Sequence, residues 1–456
     1  MFNAPHARFL LSVTLGAASL SLVACGADKG DEGTTPETDS EGLGGDDGGD
    51  DSGGDDGTPG ELSCDAPVVA AGDVALDADS LVSFCDEHNA VEGDLVLSGG
   101  GFSDITALSC LCSVGGTLVV EGTELKTLDG LADLSIAGGL SIVDNADLND
   151  LTGLSGVTSV PGAVTISGSP ELVHLTGLDH LESTGPFTLE GLGIANLRGL
   201  GSLHTVGGDF TVRALTGLAD MSGAGRLDFV DGSFIVENTG SHDFTGLDNI
   251  RRVRQAFILR DSEASLVGLD SLSSIGGTLL IEQATRLTSL DGLSGLAEIG
   301  GHLRIEDAPT LNSLSGPSNL RNITGSLWLA QTNVTSLSGI SGIIAVGGVH
   351  LDTNPYLTST AGLPPVIQLS ELVLHWNADL VDLTHLDTIR TVDGPLTISG
   401  HASLAQLDEL YTIEAVTGDV TIVNNVAMSA EEAQGLVDAI GPENIGGTIE
   451  VSGNSG

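Results

Sequence analysis

Five cysteines, eleven histidines and 63 acidic residues in a chain of 456 are the groups with which this protein could do chemistry. Most familiar catalytic frameworks are missing. A phosphate-cradling loop needs Gly-Lys followed by Ser or Thr, and neither Lys29 nor Lys126 stands in that context. There is no His-Glu-x-x-His pair to hold zinc on a helix and no Gly-x-Ser-x-Gly turn to expose a nucleophile. Cys110-Leu111-Cys112 has no partner ligands at metal-binding spacing. Carboxylates are abundant, but abundance does not define an acid and base pair. The expectation is therefore no catalytic residue, no metal, no cofactor and no enzyme. Side chains suited to binding are easier to find: Arg304, Trp328, His350 and His375 recur at nearly constant intervals, and Arg and Trp are enriched where partners bind tightly.

The element that positions them is a repeat. Glycines at Gly93, Gly116, Gly139 and Gly162, and again at Gly277, Gly301, Gly325 and Gly348, are 23 or 24 residues apart. In degenerate units Gly185-Pro186, Arg254-Gln255 and Ser370-Glu371 stand where the glycine should be. In the unit that begins at Gly277, Leu279 and Ile281 alternate with Leu280 and Glu282, the period of a strand buried on one face. Leu287, Leu290, Leu293, Leu296 and Ile299 then recur every three residues, which suits 3₁₀-like turns or short strands around a coil. The Gly pair at each corner is expected to supply positive φ. No unit can bury its apolar ring alone, so the units must stack. Asn145, Asn354 and Asn377 follow the first inward strand residue by five positions and are expected to bond the backbone of adjacent turns.

In this register one outward column reads Leu280, Arg304, Trp328, His350, Val373 and Thr397, and the next reads Glu282, Glu306, Ala330, Asp352, His375 and Ser399. At ~4.8 Å per strand, Arg304, Trp328, His350 and His375 make a solvent-facing candidate partner-binding patch roughly 15 Å long. Arg251, Arg252 and Arg254 form the one basic cluster, read as local relief of acid repulsion, with a site for an acidic partner as the alternative.

The formal net charge is −49 and Lys126 is the one lysine after residue 63, so phosphate contacts to nucleic acid are disfavoured. Arg8 followed by the apolar run Phe9 to Ala24 reads as an export signal too short to span a bilayer. Its end, Leu22-Val23-Ala24-Cys25, resembles the lipobox of bacterial lipoproteins. The resemblance implies lipidation of Cys25, with Gly26 at the next position favouring the outer membrane. The Gly, Asp and Glu-rich stretch that follows cannot bury a core and reads as an acidic tether.

From about Cys64 onward the chain resembles the receptor L-domain family, relatives of leucine-rich-repeat proteins. Leu140, Ile142, Asn145 and Leu148 carry the repeat pattern, and Cys85 before Val91-Glu92-Gly93-Asp94-Leu95 resembles the cysteine that closes the family's amino-terminal cap. The repeats and the resemblance together imply a mainly β fold, a right-handed parallel β-solenoid with short capping helices; the repeats give about sixteen coils, whereas the family's domains have only a handful of turns. The resemblance also favours a disulfide between Cys64 and Cys85, leaving Cys110 and Cys112 joined to each other or reduced; a link from Cys85 to Cys110 is the alternative. The expected divisions are 1–24 signal peptide, 25–63 lipidated cysteine and tether, 64–92 amino-terminal cap, 93–428 repeats and 429–456 carboxyl-terminal cap. Ala78 to Phe84 and the segment from Ser429 through Ile440 are the expected cap helices.

The functional expectation is a monomeric, lipid-anchored cell-surface recognition or adhesion module that binds a protein or a glycan through a lateral face. The alternatives are a structural envelope protein without a tight ligand, and a carbohydrate-active enzyme built on a solenoid.

Overall fold

In the computed structural model, which describes residues 62–455 except Ala137, the alternating segments form parallel strands in the expected register. Leu279–Glu282 pairs with Phe257–Ser262 on one side and Leu303–Ala308 on the other, with Ile281 opposite Leu259 and Ile305. Leu279 and Ile281 are buried, as are Leu287, Leu290, Leu293, Leu296 and Ile299. The same pairing runs from Val74–Leu76 to Ile449–Ser452, giving a mainly β parallel solenoid of about 15 turns with few helices. A second ladder of two-residue strands, such as Ser274–Ile275 and Glu298–Ile299, precedes each corner. The three-residue leucine rhythm becomes 3₁₀ turns such as Thr152–Leu154, or i to i+3 bonds such as Leu296 N–H to the Leu293 carbonyl at 3.0 Å. The export signal, Cys25 and nearly all of the tether lie outside the described residues.

The Gly pairs do not take positive φ, contrary to expectation. They are needed because adjacent coils approach too closely for a side chain: a Cβ on Gly301 would lie 2.7 Å from the Gly277 carbonyl carbon. Left-handed backbone occurs instead four residues after the first inward residue of a main strand, as at Asp144 after Leu140 and Trp376 after Leu372. This corner column includes Asp144, Ala214, Asn238, Gln331, Thr353 and Trp376, all with φ between 49° and 56°.

Two kinds of ladder fill the core. Phe187, Phe210, Phe234 and Phe257 occupy the first inward strand position of successive coils, with ring centroids 5.6, 5.2 and 5.1 Å apart and nearly parallel planes. Beside the corner, Asn354 and Asn377 are fully buried. Asn377 Oδ1 accepts from the Asn354 N–H at 2.9 Å, and its Nδ2 donates to the Leu351 carbonyl at 2.8 Å, so one side chain satisfies the turn of the preceding coil.

One coil further on the ladder contains His401, also fully buried, with Nδ1 3.0 Å from the Asn377 carbonyl and Nε2 3.1 Å from that of Leu374. Burial lowers its pKa below the ordinary imidazole value, and the two carbonyls oppose that shift. The ring stays neutral in the folded state at pH values where the unfolded chain binds a proton. Stability is therefore complete above pH ~6.5 and declines as the pH falls below it. Asparagine occupies this position in adjoining coils, so His401→Asn is expected to flatten that decline between pH 7.5 and 5. Urea denaturation at the two pH values measures it, and an unchanged slope in the variant would exclude His401 as the source.

The amino-terminal cap corrects the disulfide assignment. Cys64 bonds to Cys112 and Cys85 to Cys110, with Cα separations of 5.4 and 5.8 Å, both within bridging range. Cys64 is not joined to Cys85. Helix α1, Leu81–Glu87, packs on the 3₁₀ turn Thr106–Leu108, which brings Cys85 to Cys110. The Cys-x-Cys pair flanks the buried Leu111, so both thiols reach the cap and each ties down a different segment of it. At the other end, α2, Ala430–Ile440, starts at Ser429, whose hydroxyl accepts the Glu432 N–H at 3.0 Å. Its Ala433, Leu436, Val437 and Ile440 cover the last apolar ring.

Candidate functional site

Parallel register brings Arg304, Trp328 and His350 side by side on successive coils because they share one outward strand position. The Arg304 guanidinium lies 4.5 Å from the Trp328 ring centroid. The His350 ring stacks on the other face of the indole, with centroids 3.5 Å apart and planes 5° from parallel. Glu306 fixes Arg304, its Oε1 accepting from Nε at 2.9 Å and lying 2.8 Å from Nη2. A cation and two aromatic rings thus form one column, the geometry in which cation–π attraction is effective.

The expected solvent-facing tryptophan is only half open. Its two neighbours cover both ring faces, and the indole Nε1 is buried without a hydrogen-bond partner. His350 is more enclosed, its side chain 14% exposed, with Nδ1 likewise unpartnered. Glu371 Oε2 is 3.9 Å from that nitrogen, too far for a hydrogen bond. Burial lowers the His350 pKa despite Glu371, Asp352 and Glu306 nearby, so the ring stacks in its neutral form at neutral pH. His375 does not join the stack. It occupies the second outward column beside Asp352, whose Oδ1 is 3.0 Å from its Nδ1, while Val373 pairs with His350.

Ala330 is the small member of that second column, and its lack of bulk leaves an acidic depression of about 250 Å³ lined by Glu282, Glu306, Trp328, Gln331 and Asp352. Farther toward the amino end the same column alternates in sign: Glu190, Arg213, Glu237, Arg260 and Glu282 are successive register partners. Arg213 meets Glu190 at 2.6 Å, and Arg260 bridges Glu237 at 2.6 Å and Glu282 at 2.8 Å. This alternation was visible in the sequence at steps of 22 to 24 residues once the column was extended. Two members of the basic cluster are also paired, Arg254 with Asp231 at 2.6 Å and Arg251 with Asp228 at 3.7 Å. Among the described residues, no cluster of three ligating side chains could hold a metal ion, and no helix is long and apolar enough to cross a membrane.

The other tryptophan was missed because it belongs to neither outward column. Trp376 sits at the left-handed corner one residue after His375 and is 54% exposed, with the His375 ring edge-on at 5.8 Å. The signal was its position: other coils place Gly, Asp, Asn or another small or polar residue there.

No family model matches this chain, and no curated protein matches it. Among solved structures, one titled as a complex of TLR13 with ssRNA13 is similar over 80% of this chain and 71% of that chain, at 11% identity and a TM-score of 0.27. So slight a likeness carries nothing further, and the solenoid stands on its strand registers.

Proposed function

We propose that this protein is a recognition module that binds a protein or glycan through the outward strand face, with lipid on Cys25 holding it at the outer membrane or cell surface. The Arg304–Trp328–His350 column supports the reading. It is an ordered aromatic and cationic column on the outward face, with Arg304 held by Glu306 against one face of the half-open Trp328 ring. Ordering before binding removes much of the side-chain entropy that a partner would otherwise have to offset.

The test is a screen of the full chain against glycan arrays and envelope protein extracts, followed by Trp328→Ala. Affinity for a captured ligand is expected to fall by ~2 kcal/mol or more, the usual size of a hot-spot truncation. Because the indole is sandwiched, the variant should also lose about 1 kcal/mol of stability. Leu329→Ala is the control: that side chain is fully buried, and its loss should cost roughly 2 to 5 kcal/mol without removing the outward column. Unchanged affinity in folded Trp328→Ala protein would eliminate this face.

A further inference from the structure

Trp376 is a costly residue at its position. Left-handed backbone is routine for Gly and tolerable for Asn or Asp, whereas a bulky side chain there is strained and persists only where its surroundings hold it. At φ 51° Trp376 stands between Thr353, at φ 53°, and Gly400 in the same corner column. Gly400 explains how the indole is held. A Cβ on it would lie 2.6 Å from Cδ2 and 2.9 Å from Cε2 and Cε3 of Trp376, so the ring rests over Gly400 where a side chain would otherwise be. With 54% of the residue still exposed, the platform remains open to solvent. All the tryptophan and tyrosine of the chain falls between Trp328 and Tyr411, and Tyr356 is 53% exposed.

We propose that Trp376 on Gly400 is a binding platform for the ring of an uncharged sugar, a subsite of a neutral glycan. The proposal rests on the recognition reading above only in that the chain binds a partner; it places a separate subsite at the corner column, apart from the Arg304–Trp328–His350 column. A pyranose ring has an apolar C–H face that packs on an indole and a rim of hydroxyls that need polar partners. Those partners are at hand: Thr353 and Asn424 belong to the same corner column, and Asp352 accepts the Thr353 hydroxyl at 2.8 Å while bonding His375 at 3.0 Å. The net charge of −49 disfavours acidic sugars, so the glycan is neutral.

The experiment titrates the full chain with neutral hexasaccharides of β-1,4-glucan, α-1,4-glucan, xylan and mannan, followed by tryptophan fluorescence and calorimetry. At least one is expected to bind with Kd of about 1 mM or tighter. Trp376→Ala should weaken that binding ~10-fold or more, and Trp376→Phe should retain part of it, because flat aromatic area supplies the contact. The alanine variant should fold, since Ala214 occupies the same corner at φ 54°. Gly400→Ala, which keeps the indole but lifts it from its seat, should weaken binding to a similar degree. Trp328→Ala should change it by less than ~3-fold. The platform is rejected if no hexasaccharide binds at ~10 mM, or if binding survives Trp376→Ala. Sugar binding lost with Trp376→Ala alone would support the platform and remove Trp328 from the site.

Discussion

Phe234→Ala is expected to cost about 4 kcal/mol, within the range for removing a fully buried phenylalanine. The ring lies between Phe210 at 5.2 Å and Phe257 at 5.1 Å, with Phe244 meeting it edge-on at 6.3 Å. Truncation opens a void in a column whose walls are backbone held in register by both neighbouring coils, so collapse into the space is limited. Leucine occupies the equivalent position at Leu279 and Leu303, and Phe234→Leu should therefore cost less than half as much. Urea denaturation measures both variants, and hydrogen exchange should place the weakening around residues 210–257 because coils interact only with their neighbours. A loss below ~1.5 kcal/mol in the alanine variant would mean that the stack relaxes around the gap.

The second large effect is at the amino-terminal cap. Replacing Cys64 and Cys112 together by serine should cost about 3.5 kcal/mol, the chain-entropy figure for the loop of roughly 24 residues that this bond closes when Cys85–Cys110 is in place. That bond encloses the other one, Cys85–Cys110, which remains in the variant and keeps α1 on its 3₁₀ turn. The loss should therefore appear as fraying of residues 64–80, with normal exchange protection beyond the next few coils. Equal protection of the cap in parent and variant would show that packing alone holds it.

Much of the fold was legible because its signals repeat. Alternation at Leu279 and Ile281 and the three-residue rhythm from Leu287 to Ile299 each recur along the chain, so one correct register determines which residues face in and which face out. The columns that pair Arg304 with Trp328 and Asp352 with His375 follow from it. What the sequence concealed depends on single approaches between coils. The Gly pairs looked like sites of positive φ, but they serve close backbone contact, a distinction that composition does not carry. The left-handed corner was hidden because residues as different as Asp144, Ala214 and Trp376 occupy it. Cysteine pairing could not be read from four positions, and the family pattern favoured Cys64 with Cys85, whereas the packing of α1 sets Cys85 against Cys110. The indole stack on His350 was likewise invisible, since register places two rings side by side without fixing their tilt.

Parallel register, with the strand ladder of each coil bonded to the coils before and after it, also decides how this molecule carries load. Tension applied between the two ends of the stack acts along its axis, across the strands, so it opens one ladder at a time and never shears the whole sheet. A coil of 23 to 24 residues, once released, pays out about 80 Å of chain. The loop closed between Cys64 and Cys112 withholds its own share. Under a pull the solenoid is thus a spool with a locked first turn: it lengthens in equal steps, yields at low force, and recovers by rewinding onto whatever coils remain.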